Sequence, residues 1–503
     1  MKLFIFVSVQ TFNNLLMKRI AILLAVVPFF LGGLISCNNA PVYPDGIDPD
    51  AQQLYIGENI AVVPTQYGKV RGYIMRNIYT FLGIPYGAPA SGENRFMPPQ
   101  PPKPWDNVLP AVYYGNSAPQ RVEGKYRNND GVFADHWNYD DVSEDCLRLN
   151  VWTPNPDSGK RPVLFWIHGG GFTSGNGIEQ DGYHGENFSR YGDVVFVSLN
   201  HRLGPIGFSD FSAVDPKYKD SGNVGILDIV AALKWVRDNI ANFGGDPGNV
   251  TIMGQSGGGA KVCTLVAMPQ TEGLFTKAVA LSGNVTGAIN PEYSKGLGAF
   301  MAKKAGGMQK LLDMSWREYL DFADAAAREY NTTHSNGMQR GAFGPVGDGF
   351  NVPETFYTDK SSPSNKVPMI FCATSGELSG SERMRPAVTA KATQDAPVWL
   401  ACFGFNPPLF DGKKGAFHCL DICFWFRNTD LMVTHTGGGA RPRAMADKMS
   451  EALLAFMRTG NPNTKLLPEW PTYDSSVGAT MYLDDECKVI NAPDAETLKS
   501  QLP

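Results

Sequence analysis

Residues 250–262 read VTIMGQSGGGAKV, and this stretch decides the fold. The apolar run Val250 to Met253 has the length of a buried strand. It leads into GQSGG at 254–258, and residues that can start a helix follow. The glycines permit a turn so sharp that larger side chains beside Ser256 would collide with neighbouring backbone. Such a turn lifts the hydroxyl clear of the sheet, near the positive end of a helix. The stretch therefore predicts a strand–turn–helix unit with Ser256 as a nucleophile.

A second glycine-rich loop supplies what a serine nucleophile needs. The apolar run Val163 to Ile167 predicts a strand, which ends in HGGGF at 168–172. Acyl transfer places a negative charge on an oxygen of the tetrahedral intermediate, and adjacent glycines let backbone N–H groups crowd around one point. We expect Gly170, Gly171 and Gly257 to supply the N–H donors of such an oxyanion hole.

The rest of the chain alternates strand and helix signals, which favours an α/β sheet. Buried strands are predicted at Val163 to Ile167, Val194 to Leu199, Val250 to Met253, Ala278 to Leu281, Met369 to Cys372 and Val398 to Phe403. Apolar residues at helical spacing predict helices from Val224 to about Asn242 and from Met445 to Met457. We expect one catalytic domain over residues 62–503.

The composition excludes several classes of function. Of the 503 residues, 43 % are hydrophobic and 11 % aromatic, which indicates a folded globular protein. The 44 basic and 49 acidic residues give a net charge of −5, so we expect no binding of nucleic acid. The cysteines lack the paired spacing of a zinc site, and the chemistry of a serine nucleophile needs neither a metal nor an organic cofactor.

Several longer motifs follow one another along the chain, and with them the sequence resembles the type B carboxylesterase family, which includes the cholinesterases. Besides the two glycine-rich stretches, they are SEDCLRLNV at 143–151, NHRLG at 200–204, GNVGILD at 222–228, FGGDP at 243–247 and TGNPN at 459–463. The resemblance runs from about Val62 to Tyr473. It implies an α/β-hydrolase fold, with a mostly parallel central sheet flanked by helices, and hydrolysis of carboxylic esters.

The same resemblance implies the other two members of a catalytic triad. The family's acid is a Glu eleven positions into a segment that begins Val-Pro, which Glu377 matches, and its base ends a Gly-Ala-Phe-His segment, which His418 matches. An imidazole must remove the proton of Ser256, and a carboxylate must orient the imidazole. Residues beside Glu377 differ from the family's pattern, with Gly before it, so Glu382 and Asp421 stay open as alternative acids.

Other differences from the family concern the substrate. Glu377 and His418 are separated by 41 positions, where family members usually carry a longer helical insertion. We therefore expect an open site for a bulky or polymer-attached ester, such as a carbohydrate-linked one. Gln255 stands where cholinesterases carry a Glu that would favour a cationic substrate, and Trp137 is expected to be an ordinary pocket-wall aromatic. Gly257 replaces the usual Ala, which keeps the N–H donor and should loosen the backbone.

Two rival functions are considered. A non-catalytic binding or adhesion module, known among family members that lost the Ser or the His, is disfavoured because all triad candidates are retained. An amidase or an acyltransferase would need the same site, so sequence does not separate these from an esterase.

We expect Arg202 with Asp228, and Arg95 with Glu144, to be buried structural ion pairs that take no part in the reaction.

The N-terminal segment predicts export. Two basic residues are followed by the apolar run Ile20 to Gly33 and then by LISC at 34–37, which resembles the lipobox of bacterial lipoproteins. We expect a signal peptide at 1–36 with Met17 as the true start, lipid on Cys37, and a tether over 37–61. The enzyme would then lie on the periplasmic or outer face of a bacterial membrane. A transmembrane anchor is the alternative, but the run is short and Pro28 interrupts it.

Overall fold

A large sheet organises the chain, which is seen here in a computed structural model that describes residues 52–121, 141–334, 341–358, 360–377 and 380–501. In chain order the strands are β1 (Leu54–Tyr55), β2 (Val62–Thr65), β3 (Gly68–Arg71), β4 (Tyr73–Met75), β5 (Ile78–Pro85), β6 (Leu109–Pro110), β7 (Arg148–Thr153), β8 (Arg161–Ile167), β9 (Val195–Leu199), β10 (Gly245–Gln255), β11 (Lys277–Leu281), β12 (Met369–Thr374), β13 (Val398–Phe403), β14 (Ala479–Leu483) and β15 (Lys488–Asn491).

Helices connect and flank these strands. They are α1 (Glu186–Gly192), α2 (Gly204–Phe208), α3 (Val224–Asn239), α4 (Gly257–Ala267), α5 (Pro291–Ala305), α6 (Met308–Asp313), α7 (Trp316–Tyr330), α8 (Gly380–Ala392), α9 (Ile422–Trp425), α10 (Val433–Thr436), α11 (Ala440–Thr459) and α12 (Ala495–Gln501). Short 3₁₀ helices lie at Gly92–Asn94, Asp181–Tyr183, Pro216–Tyr218, Ser221–Asn223, Ile240–Phe243, Pro269–Thr271, Pro363–Lys366 and Leu409–Gly412.

Within the described residues, the main sheet has twelve strands in the order β1-β4-β5-β7-β9-β8-β10-β11-β12-β13-β14-β15. The strands from β9 to β14 in this order run parallel to one another, and the flanking ones are antiparallel. A separate three-stranded sheet is formed by β2, β3 and β6. The expected mostly parallel sheet and all six predicted strands, β8 to β13, are therefore confirmed.

The two predicted helices are also confirmed, with different ends. Helix α3 ends at Asn239, and a 3₁₀ helix follows it directly over Ile240–Phe243. This 3₁₀ helix ends at Gly244, which adopts a left-handed φ of 81°. Helix α11 begins five residues before Met445 and ends two residues after Met457. The differences lie at the ends of the helices, where capping rather than periodicity sets the boundary.

The register of the central strands determines where the site forms. Residues 163–167 of β8 are completely buried, as expected for a parallel strand covered on both faces. In the pairing of β8 with β10, Val163 lies opposite Val250 and Ile167 opposite Gly254. Because the strands are parallel, the loops after them leave the sheet side by side at the same edge. The glycine loop at 168–172 and the turn at Ser256 are therefore neighbours.

The described part of the chain begins before the expected start of the domain. Leu54 and Tyr55 pair with Met75 and Ile74, so the sheet starts within the segment 37–61 that was expected to be a tether. The expected signal peptide, the expected lipid site Cys37 and the expected tether up to residue 51 lie outside the described residues, as does Trp137. Among the helices that the structure describes, none is long and apolar enough to cross a membrane.

The two expected buried ion pairs are confirmed. Arg202 and Asp228 are both fully buried, and their side chains make two hydrogen bonds of 2.6 and 2.8 Å. Arg202 Nη1 also donates to the carbonyls of Arg95 and Met97 at 3.1 and 2.8 Å. Arg95 in turn binds Glu144 through hydrogen bonds of 2.6 and 2.8 Å. The pairs thus hold the loop at 94–97 against the end of β9.

Candidate active site

The turn between β10 and α4 presents Ser256. Its φ of 57° and ψ of −119° are strained for a residue with a side chain, at a cost of about 1–3 kcal/mol. The strain is held by the packed surroundings: Ser256 N donates to the carbonyl of Leu281 at 2.7 Å, and a Cβ on Gly258 would lie 2.1 Å from the carbonyl oxygen of Ile167. Ser256 itself remains partly exposed. The turn therefore matches the predicted strand–turn–helix unit.

The glycine loop lies directly against this turn. Gly170 and Gly171 have left-handed φ values of 81° and 62°, and the Ser174 N–H closes the turn by donating to the Gly170 carbonyl at 3.0 Å. A Cβ built on Gly169 would lie 3.5 Å from the Cβ of Ser256. The structure thus brings the loop that was expected to form the oxyanion hole next to the serine.

Gly257 has a different reason for its identity from the one expected. A Cβ at this position would lie 2.1 Å from the carbonyl oxygen of Gly171 and 2.4 Å from its nitrogen. Since real Cβ atoms do not approach backbone so closely, only glycine fits here in this arrangement. The glycine at position 257 allows the glycine loop to lie close to the start of α4. The sequence by itself had predicted only a looser backbone at this position.

The acid and base candidates meet across a long stretch of chain. Nδ1 of His418 is hydrogen-bonded to Oε1 of Glu377, which follows the end of β12. A backbone hydrogen bond of 3.0 Å from Gly376 N to the carbonyl of Ala416 holds the two segments together. A Cβ on Gly376 would lie 2.7 Å from that carbonyl oxygen, which explains the glycine before the acid. The glycine at position 376, which differs from the family's pattern and left the identity of the acid undecided, is therefore required by packing.

Of the two alternative acids, Asp421 is the one whose position is described. It is fully buried, and burial, followed by the charge of Glu377, raises the pKa of the Asp421 carboxyl to about 7. The imidazole of His418 is hydrogen-bonded to Glu377 and not to Asp421. The side chain of Glu382 lies outside the described residues. The geometry thus pairs Glu377 with the imidazole.

Two neighbours of the triad candidates were not predicted to contact the imidazole. Gln255 is fully buried, and its Nε2 lies 3.3 Å from Nδ1 and 3.2 Å from Nε2 of His418. Its Oε1 accepts a hydrogen bond of 3.2 Å from Sγ of Cys419. Cys419 contributes most to the rise in the pKa of His418, and the carboxylate of Glu377 raises this pKa further, against the effect of burial. The sequence feature that could have pointed to these contacts is position: Gln255 directly precedes Ser256, and Cys419 directly follows His418.

Comparison with known proteins identifies the family. Residues 59–396 match the model of the Carboxylesterase family. The chain belongs to this family. The match contains Ser256 and Glu377 and ends before His418. This carboxylesterase is a hydrolase of carboxylic esters with the α/β-hydrolase fold, and a non-catalytic module is not favoured.

Several relatives of this carboxylesterase match over nearly their whole length. The chain is 32 % identical over 499 residues to para-nitrobenzyl esterase of Bacillus subtilis (strain 168), which covers 88 % of this chain and 98 % of that protein. A thermophilic PNB esterase structure has 31 % identity and a TM-score of 0.76, over 87 % of this chain and 99 % of that one. An esterase from the anaerobe Clostridium hathewayi, described as able to hydrolyse aliphatic aromatic polyesters, has 31 % identity and a TM-score of 0.73, over 89 % and 98 %.

Proposed function

We propose that Ser256, His418 and Glu377 carry out the ester hydrolysis in two acyl-transfer steps. Ser256 Oγ attacks the ester carbonyl while Nε2 of His418 takes the hydroxyl proton and passes it to the leaving alcohol. A water molecule, activated by the same imidazole, then releases the acid and restores the serine. Glu377 accepts the hydrogen bond of Nδ1–H, which holds the tautomer and stabilises the imidazolium. The contact between His418 and Glu377, at the sheet edge that carries Ser256, is the observation that supports this assignment.

The N–H groups of Gly170, Gly171 and Gly257 are proposed to stabilise the tetrahedral intermediate. The close approach of Gly171 to Gly257 supports this proposal, because donors from two separate segments then converge beside Ser256. Donors held in advance of the reaction need not reorganise when the negative charge develops. The N-terminal end of α4 adds a favourable field at the same place.

Replacement of the nucleophile tests the assignment. Ser256→Ala is expected to abolish hydrolysis of p-nitrophenyl butyrate, and the wild type, but not the variant, should be labelled by a fluorophosphonate. Ser282→Ala, just after the end of the neighbouring strand β11, serves as the control because Ser282 is another partly exposed serine with a left-handed backbone. Labelling that persists in a folded Ser256→Ala variant would contradict the proposal.

The proposed substrates are esters attached to a large molecule, such as carbohydrate-linked ones. The side chain of His418 is 45 % exposed, which supports access from a wide opening. The short segment between Glu377 and His418, and a relative described as acting on polyesters, support the same idea. The kcat/KM for acetylated or feruloylated oligosaccharides should exceed that for p-nitrophenyl acetate. A clear preference for the small soluble ester would count against this substrate class.

The enzyme is further proposed to be exported and held on a bacterial membrane by lipid on Cys37. The apolar run followed by LISC at 34–37 supports the proposal. A chain expressed with an alkyne-labelled fatty acid should carry the label and partition into detergent. The Cys37→Ser variant should lose both properties, whereas Cys487→Ser should keep them. Equal labelling of the Cys37→Ser variant would refute the proposed anchor.

A further inference from the structure

A buried lysine connects the helix after the nucleophile to the glycine loop. Lys261 is the fifth residue of α4 and is fully buried. Its Nζ donates a hydrogen bond of 3.0 Å to the carbonyl of His168, the residue with which the glycine loop begins. The side chain therefore joins two segments that must keep a fixed distance if their N–H groups are to act on one oxygen. The two-step mechanism assigns no role to this lysine.

Polar groups from several elements surround the amine. The carboxylate of Glu179, in a residue that is 3 % exposed, is its oppositely charged neighbour, and the centroid of the Phe172 ring lies 5.9 Å from Nζ. The ring of His168 stacks on that of His201 at 4.9 Å, and burial followed by the charge of Lys261 lowers the pKa of His201 well below its usual value. This group of residues lies behind the glycine loop.

Packing alone does not account for a lysine at this position. Burial lowers the pKa of Lys261 to about 7, which means that the surroundings disfavour its charge. A methionine would fill a similar volume without the cost of removing an amine from water. What methionine cannot do is donate a hydrogen bond to the carbonyl of His168. That hydrogen bond is the specific contribution of the lysine.

We propose that Lys261 is a positioning residue of the oxyanion hole, which anchors the carbonyl of His168 and so holds the glycine loop at its working distance from Ser256. The inference rests on the proposed function, because it assumes that Ser256 attacks the ester carbonyl in front of this loop. Without the anchor, the loop would still form, but its N–H groups would meet the tetrahedral oxygen less well than before. The variant would then lose stabilisation of the transition state, whereas binding of the substrate in the ground state would change little.

The test compares Lys261→Met with a matched variant, Lys391→Met. Lys391 is also fully buried on a helix, α8, and burial lowers its pKa to about 8, but within the described residues its Nζ makes no hydrogen bond to the proposed catalytic residues. For p-nitrophenyl butyrate we expect kcat of Lys261→Met to fall by about tenfold, less than the loss on removing a direct oxyanion donor, with KM changed less than threefold. Affinity for an aryl trifluoromethyl ketone, which forms an oxyanion on the serine, should fall by a similar factor. Lys391→Met should keep the wild-type kcat.

The outcomes separate the inference from the proposed function. Wild-type kcat in Lys261→Met, or a rise in KM with unchanged kcat, would overturn the positioning role. If Lys261→Met does not fold, Lys261→Leu replaces it: leucine also has no donor for the same carbonyl, so the same fall in kcat is expected and wild-type kcat would again overturn the role. Full activity in Ser256→Ala would instead refute the proposed function.

Discussion

Among single residues, Cys419 has the largest effect on the proton affinity of the base. Its interaction with the imidazole is the leading cause that raises the pKa of His418. Since the base must be unprotonated, a raised pKa moves the acid limb of the kcat/KM profile to higher pH. Cys419→Ala removes this cause, so we expect the acid limb to move to lower pH by about one pH unit. A pH–rate profile with a p-nitrophenyl ester measures the shift.

The control for this prediction is Cys487→Ala. Cys487 is a second partly exposed cysteine, and its thiol donates to the carbonyl of Asp484 away from the triad candidates. Its replacement should leave the acid limb in place. An acid limb of Cys419→Ala that coincides with that of the wild type would show that the thiol does not set the pKa of His418.

A second prediction at this scale separates the two candidate acids. Glu377 holds Nδ1 of His418, whereas Asp421 is buried nearby with a raised pKa. Glu377→Gln should therefore lower kcat by roughly 10²- to 10⁴-fold, since the imidazole loses the carboxylate that fixes its tautomer. Asp421→Asn, the matched amide substitution, should change kcat by less than about threefold. Steady-state kinetics of both folded variants decide between them, and the reverse order would assign the acid to Asp421.

Among the structural elements, the contact between the glycine loop and the start of α4 is the most sensitive to volume. In Gly257→Ala the new Cβ would meet Gly171 at 2.1 Å, so the loop must move away from Ser256. We expect kcat to fall by roughly 10- to 100-fold while KM changes little, because the displaced donors act on the transition state. Steady-state kinetics with p-nitrophenyl butyrate provide the measurement.

Gly182→Ala provides a matched control for that substitution. Its Cβ would make only ordinary contacts, the nearest at 3.4 Å to Oε1 of Gln180, and its φ is not left-handed. This variant should keep kcat within about twofold. Equal kcat in Gly257→Ala and the wild type would mean that the loop accepts the added methyl without loss of alignment.

At the scale of the whole molecule, the ion pair of Arg202 and Asp228 joins distant segments. Arg202→Met would leave the Asp228 carboxylate buried without its partner, and the free energy of unfolding should fall by about 3–5 kcal/mol. Arg237→Met, which removes an exposed arginine paired with Asp238, should change it by less than about 1 kcal/mol. Urea unfolding followed by tryptophan fluorescence compares the two.

A double substitution checks the cause of this loss. Arg202→Met combined with Asp228→Leu removes both charges and should recover part of the stability, because no unpaired carboxylate then remains buried. If the double variant were as unstable as the sum of the single ones, the hydrogen bonds from Arg202 to the carbonyls of Arg95 and Met97 would explain the loss instead.

The sequence by itself determined the local features of this protein. The six central strands are continuous apolar runs, because parallel strands are buried on both faces, and Ser256 was recognisable because a sharp strand–turn–helix unit needs glycines at fixed offsets. Glu377 and His418 came from the resemblance to a family, since no local rule relates residues 41 positions apart. These features depend on the chain near each residue or on a long ordered set of motifs.

Only the tertiary structure decided which distant groups meet. The hydrogen bond from the N–H of Gly376 to the carbonyl of Ala416 brings the acid to the base. The closeness of Gly171 makes glycine necessary at position 257. The contact of Lys261 with the carbonyl of His168 joins residues 93 positions apart. Such contacts follow from strand register and from the path of the connecting loops, which place atoms to within an ångström. A one-dimensional pattern of residue types does not contain those distances.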